Sequence, residues 1–273
     1  MDAGRDGEEG PTPKGAAHGW AASALPALLL ASALLGGCAG STSALRDETP
    51  SDNARAAQIN VQLGLGYLQR GQKQAAAEKL ARALEQDPDS ALVQHANALL
   101  QDVLGELDAA DRHFRRAVDL DPKDSEARNN YGAFLCRQKR TDEGVAMLEQ
   151  ALTNPLYATP EFAWSNIGQC RRQAGQPEPA EAALRKAVQI NPRHASAWLQ
   201  LAETQLQLGQ ARQAQSSLQR YHELAPQGPA SLLLGARIEQ ALGQRQAQAH
   251  YELLLRGKFP DSDEARRLGE AQP

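Results

Sequence analysis

The sequence predicts an all-α solenoid built from six helix-turn-helix repeats. Ala, Leu, Gln and Glu are abundant and aromatic residues make up only 4% of the 273 residues, a composition that favours helices over strands. Five prolines recur with spacings of 34, 70, 34 and 34 residues: Pro88, Pro122, Pro192, Pro226 and Pro260. A glycine stands 17 residues before each of them: Gly71, Gly105, Gly175, Gly209 and Gly243. A fixed period of this length is typical of repeat proteins, in which each unit packs on its neighbours.

Small residues recur at the same three positions of the repeats. The predicted repeats span residues 57–90, 91–124, 125–160, 161–194, 195–228 and 229–262. In the first four, positions 8, 20 and 27 are all Gly or Ala, and a larger apolar residue stands at position 24. This pattern resembles the tetratricopeptide repeat, in which two antiparallel helices cross closely at the small residues. The resemblance implies a right-handed superhelix whose concave groove is lined by the first helix of every repeat.

Two irregularities interrupt the pattern. In the third repeat Lys139 replaces the turn glycine, Pro155 comes one place early, and two extra residues precede the fourth repeat. A glycine at this place lets the first helix end in a left-handed turn, and the proline starts the turn out of the second helix. The fifth and sixth repeats lose several of the small residues, which is expected where a solenoid is capped rather than continued.

The resemblance also implies a partner-binding groove, because tetratricopeptide repeats present positions 2, 5, 9, 12 and 13 of their first helices to it. At the amino end we expect these contact residues: Val61, Leu65, Leu68, Leu92, His95, Leu99 and Asn129. Most are apolar, which suits a helix or an extended segment of a protein partner. The alternative is that several of these leucines simply pack between repeats. The groove positions farther along the chain are mixed polar.

Two of the three cysteines fall on neighbouring repeats. Cys136 is at position 12 of the third repeat and Cys170 at position 10 of the fourth, and both belong to first helices, which lie side by side in such an array. Disulfides persist in oxidising compartments, and a bridge needs Cα atoms within about 7 Å. The sequence predicts a Cys136–Cys170 bridge if the chain is exported. The alternative is a pair of buried free thiols.

The third cysteine follows an apolar segment near the amino terminus. Ala21 to Leu35 is an apolar stretch of 15 residues, shorter than the roughly 20 that a membrane span needs and typical of a signal peptide. It leads into Leu35, Gly36, Gly37 and Cys38, which resembles the bacterial lipobox. That resemblance implies cleavage before Cys38 and lipidation of its thiol. The alternative is a buried apolar helix with a chance cysteine.

The predicted leader departs from the usual pattern in its charge. Its first 20 residues carry two basic and four acidic side chains, whereas the start of a signal peptide is usually positive. We expect residues 1–37 to be the signal peptide, residues 38–56 a lipidated start and flexible tether, and residues 263–273 a carboxyl-terminal tail. Ala39, rather than an aspartate, follows the cysteine and favours the outer membrane.

Composition and motifs argue against several function classes. The 29 Lys and Arg against 33 Asp and Glu leave a formal net charge of −4, so no cationic face for nucleic acid is expected. The six histidines show no metal-ligand spacing, and no phosphate-binding loop or nucleophile elbow occurs. The sequence therefore predicts a protein that is not an enzyme, with no cofactor, metal or small-molecule substrate.

Three short sequences are more specific than the repeat pattern. They are Asn129–Cys136 (NNYGAFLC), Asn154–Pro160 (NPLYATP) and Phe259–Ser262 (FPDS). Together with the lipobox, they resemble the type IV pilus biogenesis and stability lipoproteins over nearly the whole chain. The resemblance implies a pilotin in the periplasm, lipid-anchored to the outer membrane, that supports assembly of the pilus secretin. The alternative is a general envelope scaffold, such as an adaptor for outer-membrane protein insertion or for a cell-wall enzyme.

Overall fold

A computed structural model describes residues 51–270, which contain thirteen helices and no strand. Twelve helices form six antiparallel pairs that pack in series, and the thirteenth packs on the last pair. In chain order they are α1 (Asp52–Gln69), α2 (Lys73–Gln86), α3 (Ala91–Leu104), α4 (Leu107–Leu120), α5 (Ser125–Arg137), α6 (Thr141–Leu152), α7 (Pro160–Gln173), α8 (Pro177–Ile190), α9 (Ala195–Gln207), α10 (Ala211–Leu224), α11 (Pro229–Ala241), α12 (Arg245–Lys258) and α13 (Asp263–Glu270). The predicted all-α tetratricopeptide solenoid is confirmed.

The small residues allow the two helices of a pair to cross at close range. A Cβ atom added to Gly64 would lie 2.6 Å from Cγ of Leu80, and one added to Gly168 would lie 2.5 Å from Cγ of Leu184. Leu80 and Leu184 are fully buried. The second helix of each of these repeats therefore inserts its leucine where the first helix has no side chain, which explains the sequence pattern.

The turn inside each repeat uses a left-handed residue. Five turn glycines have φ between 71° and 82°, and Lys139 adopts the same conformation with φ of 61°. The Lys139 amide donates to the Cys136 carbonyl at 3.0 Å, as the Gly71 amide does to Leu68. A left-handed conformation costs a residue with a Cβ about 1–2 kcal/mol. The third repeat therefore keeps the shared turn in spite of its lysine.

The solenoid begins earlier in the chain than the sequence predicts. Helix α1 starts at Asp52, so residues 52–56, which we expected to belong to the tether, are helical. The reason is a helix cap, because the Ser51 hydroxyl accepts a hydrogen bond from the Ala54 amide at 3.1 Å.

The carboxyl end is closed by a helix that the sequence analysis assigned to a tail. Helix α13 lies within residues 263–273, and Leu268 packs with Leu232, Leu233 and Leu255. In the sixth repeat the two helices cross with a tyrosine in place of the usual leucine, because a Cβ on Gly235 would lie 2.6 Å from the Tyr251 ring.

None of the helices in residues 51–270 has both the length and the apolar character required to cross a bilayer.

Candidate partner-binding groove

The seven predicted groove residues lie on first helices, but they differ in accessibility. Val61 is only 1% exposed and packs in a core cluster with Leu80 and Val93. It cannot serve as a contact residue, because its side chain fills the space between the first two repeats. The groove assignment of Val61 is therefore corrected to a core position.

Four leucines remain available as an apolar surface, which we call the amino-end surface: Leu65, Leu68, Leu92 and Leu99. Leu92 is 42% exposed. The other three are partly buried, Leu65 and Leu68 against the first core cluster and Leu99 against the cluster that contains Phe114. Both interpretations of these leucines, partner contact and packing between repeats, are therefore compatible with the structure. Each side chain supports the repeat packing while part of it stays exposed.

Sequence reasoning missed two exposed apolar residues of α1. Ile59 is 58% exposed and Leu63 is 41% exposed. The corresponding residues of the second repeat, Val93 and Asn97, are buried, with exposures of 0% and 3%. In the second repeat the preceding helix α2 covers these positions, as shown by the hydrogen bond from the Asn97 amide to the Leu80 carbonyl at 3.3 Å. Within the described residues no repeat precedes α1, so Ile59 and Leu63 add to the apolar surface there.

His95 and Asn129 are not open contact residues but members of a polar ladder between repeats. Each is 7% exposed. His95 Nε2 lies 3.0 Å from the Asn130 amide nitrogen, and the Asn129 oxygen accepts from the Asn166 amide at 3.0 Å. A third rung joins Gln200 to Ser165 at 3.3 Å. The predicted contact roles of His95 and Asn129 are therefore corrected to links between neighbouring first helices.

Burial sets the charge state of His95 at this ladder. Desolvation lowers the pKa of its imidazole below the ordinary 6.5, and attraction by Asp124 and Glu126 only partly offsets this. A neutral ring with its proton on Nδ1 can accept the hydrogen bond from Asn130 at Nε2, whereas a protonated ring cannot. The hydrogen bond between His95 and Asn130 therefore requires the neutral imidazole.

Acidification is expected to destabilise the fold. Burial lowers the pKa values of His95, His113, His194 and His222, so each of them binds a proton more readily in the unfolded chain than in the folded one. Their contribution to stability is present above the unfolded-state pKa of about 6.5 and is lost as the pH falls below it. Urea denaturation at pH 7.5 and pH 5.5 measures the loss, which His95→Gln should reduce. An unchanged free energy of unfolding at the two pH values would contradict this account.

The predicted disulfide is present. Cys136 in α5 and Cys170 in α7 are bonded, with their Cα atoms 5.2 Å apart. Their exposures are 7% and 1%. Gly144 in α6 faces the bridge, because a Cβ there would lie 2.5 Å from Cys136 Sγ. The alternative of two free thiols is therefore set aside, and the bond covalently joins the third and fourth repeats.

The later part of the groove carries ion pairs as well as leucines. Arg137 pairs with Asp102 across the second and third repeats, and Arg172 pairs with Glu203 at 3.1 Å across the fourth and fifth. These side chains are between 19% and 47% exposed, so each pair contributes little to stability and mainly sets local charge. Leu206 and Leu233 line the same cavity as Arg172 and Glu203, so the later part of the groove mixes apolar and charged side chains.

The predicted lipid site lies outside the described residues, as do Leu35, Gly36, Gly37 and Cys38 of the lipobox. Residues 51–270 contain no group of three or more His, Cys, Asp or Glu side chains that could hold a metal ion. The geometry that is present consists of apolar and polar surfaces on packed helices, which can bind another polypeptide.

Comparisons with known proteins agree with the repeat architecture. Sequence models of the tetratricopeptide repeat match residues 61–90, 113–146 and 171–238. The type IV pilus assembly protein PilF of Pseudomonas aeruginosa is 36% identical over 159 residues, which cover 58% of this chain and 62% of PilF. The match therefore spans less than two thirds of that relative. An uncharacterized protein of Haemophilus influenzae is 34% identical over 140 residues, covering 51% of this chain and 78% of that protein.

Two solved structures resemble the chain over most of their length. The structure of Pseudomonas aeruginosa PilF has a TM-score of 0.71 and 31% identity, covering 81% of this chain and 99% of PilF. PilW, described as a widely conserved type IV pilus biogenesis factor, has a TM-score of 0.74 and 34% identity, covering 78% of this chain and 97% of PilW. The tetratricopeptide-repeat protein YrrB, at 19% identity and a TM-score of 0.54, shares the fold.

Proposed function

We propose that this chain, which belongs to the tetratricopeptide-repeat family of the type IV pilus biogenesis proteins PilF and PilW, is a pilotin. In this proposal it is a lipoprotein of the outer membrane whose folded domain lies in the periplasm. It binds subunits of the pilus secretin and promotes their assembly into multimers. It acts as a binding scaffold, without a catalytic step.

One observation carries the proposal: six of the eleven large apolar side chains that are at least 40% exposed within residues 51–270 belong to the first two repeats, which follow the lipobox in sequence. Leu92 on α3 and Ile59 and Leu63 on α1 are each more than 40% exposed. Only twelve residues, 39–50, separate Cys38 from Ser51 in the sequence, and a chain of that length spans at most about 40 Å. The lipid on Cys38 would thus hold this surface near the membrane and raise the local concentration of bound secretin subunits.

Charged substitutions at this surface are expected to abolish secretin multimers while leaving the array folded. We choose Leu63→Glu together with Leu92→Glu, because both side chains are about two-fifths exposed and a carboxylate there remains solvated. The measurement is the amount of secretin multimer in membrane fractions, with circular dichroism as the test of folding.

Leu253→Glu provides the matched control for this experiment. Leu253 lies on α12 at the other end of the array and is 70% exposed, so the same change of residue is made far from the proposed site. Normal multimers in the Leu63→Glu/Leu92→Glu variant would remove the site assignment. Normal multimers in a strain that lacks the protein would favour the general envelope scaffold.

Lipidation is expected to place the chain in the outer-membrane fraction. The mature protein should begin at Cys38 and carry a diacylglyceryl group together with an amide-linked acyl chain, since several chains anchor a protein stably and one does not. Mass spectrometry of the amino-terminal peptide measures this directly. Cys38→Ser behind a signal peptide that is cleaved without lipidation should move the protein into the soluble periplasmic fraction, and an unmodified Cys38 in cell-derived wild-type protein would refute the anchor.

A further inference from the structure

An open cleft lies between the second helices of the fourth and fifth repeats, α8 and α10. Its volume is about 470 Å³, within the range of small ligand-binding sites. Arg185 and Val188 of α8 line one side, Arg212 and Ser216 of α10 line the other, and Trp198 of α9 lies between them. Because second helices form both sides, the cleft is distinct from the groove of the first helices. We call it the tryptophan cleft.

Trp198 is accessible, whereas its counterpart in the preceding repeat is covered. Trp164 and Trp198 occupy the same position of adjacent repeats. The Lys186 ammonium lies 3.9 Å from the centre of the Trp164 ring and covers it through a cation–π contact. Arg220, which corresponds to Lys186 in the fifth repeat, pairs instead with Glu223 at 2.8 Å. In the described part of the chain no cation covers Trp198, so the exposed part of its ring can contact another molecule.

A short side chain on α10 keeps the tryptophan cleft open. Ser217 lines the cleft, and the corresponding residue of the second repeat is the bulkier His113. Nδ1 of His113 lies 2.7 Å from Oε1 of Gln94, which stands at the position of Trp198, so this contact closes the equivalent space there. The Ser217 hydroxyl instead donates to the buried Gln205 at 2.7 Å and does not extend over the ring. The cleft therefore results from a serine facing a tryptophan.

Charge at the tryptophan cleft is positive. Arg185 and Arg212 line it, and no Asp or Glu does. Arg185 is paired with Glu181 at 2.6 Å, so Arg212 supplies the uncompensated charge. In residues 51–270 Arg212 accepts a bond from Ser216 through its backbone carbonyl, and its guanidinium has no partner. The residues at the same position of the three preceding repeats are acidic: Asp108, Asp142 and Glu178. The fifth repeat thus reverses the charge at this position and attracts an anionic group.

The floor of the tryptophan cleft lies below the surface of the array. Leu201 and Val188 line the cleft and are only 2% and 7% exposed. A side chain that projects from a polypeptide can reach them beside the Trp198 ring, whereas the flat surface of an anionic bilayer would meet only the exposed arginines. Two aromatic rings in contact contribute more than their buried area alone. The cleft therefore fits an aromatic side chain that has an acidic neighbour.

We propose that the tryptophan cleft binds a segment of a protein partner in which an aromatic residue stands beside an Asp or Glu. The aromatic ring packs on Trp198 and Val188, and the carboxylate pairs with Arg212. The site does not depend on the pilotin assignment. It is formed by second helices at the later repeats, so it can be occupied while the amino-end surface holds another protein.

A selection from phage-displayed random dodecapeptides tests the site. The full chain purified from cells is the bait, and phage that also bind the Trp198→Leu/Arg212→Gln variant are removed. The sixth repeat carries these same residue types at the two positions, as Leu232 and Gln246, so the variant is expected to fold. Circular dichroism and the thermal midpoint verify its fold. Enriched peptides should contain Trp, Tyr or Phe within two positions of Asp or Glu.

The affinity of the leading peptide provides the quantitative result. Trp198→Leu should weaken binding by about 5-fold or more, through the loss of the ring contact. Arg212→Gln should weaken it by up to about 5-fold, and more salt should reduce that difference. Arg245→Gln is the matched control, because it removes an exposed arginine at the start of α12, and it should have no effect.

Several results would overturn the proposal. They are failure to enrich peptides, basic consensus sequences, equal affinity for the wild type and Trp198→Leu, and equal weakening by Arg245→Gln and Arg212→Gln. Vesicles of phosphatidylglycerol provide the comparison with a lipid surface. Vesicle binding that the Trp198→Leu/Arg212→Gln variant loses, without any enriched peptide, would assign the cleft to anionic lipid instead.

Discussion

Replacing both Cys136 and Cys170 by serine is expected to lower the free energy of unfolding by about 3–4 kcal/mol. The bond closes a loop with a sequence separation of 34 residues, and cross-linking a loop of that length removes this much conformational entropy from the unfolded chain. For a domain of this size the thermal midpoint should fall by roughly 10 °C. Urea denaturation of the oxidised wild type and of the double variant measures the difference.

The part of the array that loses stability distinguishes a local effect of the disulfide from destabilisation of the whole domain. Backbone amides of α5 to α8 should exchange hydrogen faster in the double variant, whereas α1 and α2 should change little, because each repeat depends mainly on its neighbours. Wild-type protein unfolded under strong reductant provides the second comparison and should match the variant. A loss below about 1 kcal/mol would show that the native geometry of the third and fourth repeats does not depend on the bond.

Gly132→Ala is expected to destabilise the protein by about 1–3 kcal/mol, although alanine normally favours helices. An added Cβ would lie 2.8 Å from the Gly144 carbonyl oxygen and 2.7 Å from Cγ of Leu148. The carbonyl belongs to the backbone of α6, so it cannot move without separating α5 from α6. The free energy of unfolding from urea titration measures the cost.

Gly66→Ala is the matched control, since it makes the same change inside a first helix. The nearest atom to its added Cβ is the far end of the flexible Arg70 side chain, at 3.7 Å. This substitution should stabilise the protein by about 0.5–1 kcal/mol, because alanine loses less conformational entropy than glycine on folding. If Gly132→Ala and Gly66→Ala changed the free energy of unfolding in the same direction, the close crossing of α5 and α6 would be contradicted.

The repeat architecture could be predicted from sequence because it depends on local spacing. The turn glycines mark the end of each first helix, and small residues such as Gly64 and Gly168 mark the crossings. The Cys136–Cys170 pairing followed from the same logic, since first helices of adjacent repeats are neighbours. Helix α13 was missed because its eight residues contain a single leucine and offer no apolar periodicity.

The details of the groove could not be predicted from position within one repeat. Val61 and His95 occupy the same position of their repeats, but Val61 packs in the core and His95 bonds to Asn130. Which partner faces a side chain depends on how adjacent repeats rotate against each other. Exposure of Ile59 could have been inferred, since its position is covered only when another repeat precedes it. The path of the loop at residues 153–159 also departs from the repeat pattern, so spacing alone does not define it.

The Cys136–Cys170 bond also bears on the elasticity of the array. A stack of repeats behaves as a spring, because small changes of angle between neighbours add along its length. Within residues 51–270 this bond is the one covalent cross-link between repeats, whereas the other junctions are held by packing and by hydrogen bonds such as Asn97 to Leu80 and Gln215 to Glu239. Under load the junction between the third and fourth repeats is therefore the stiffest, and the other junctions deform first.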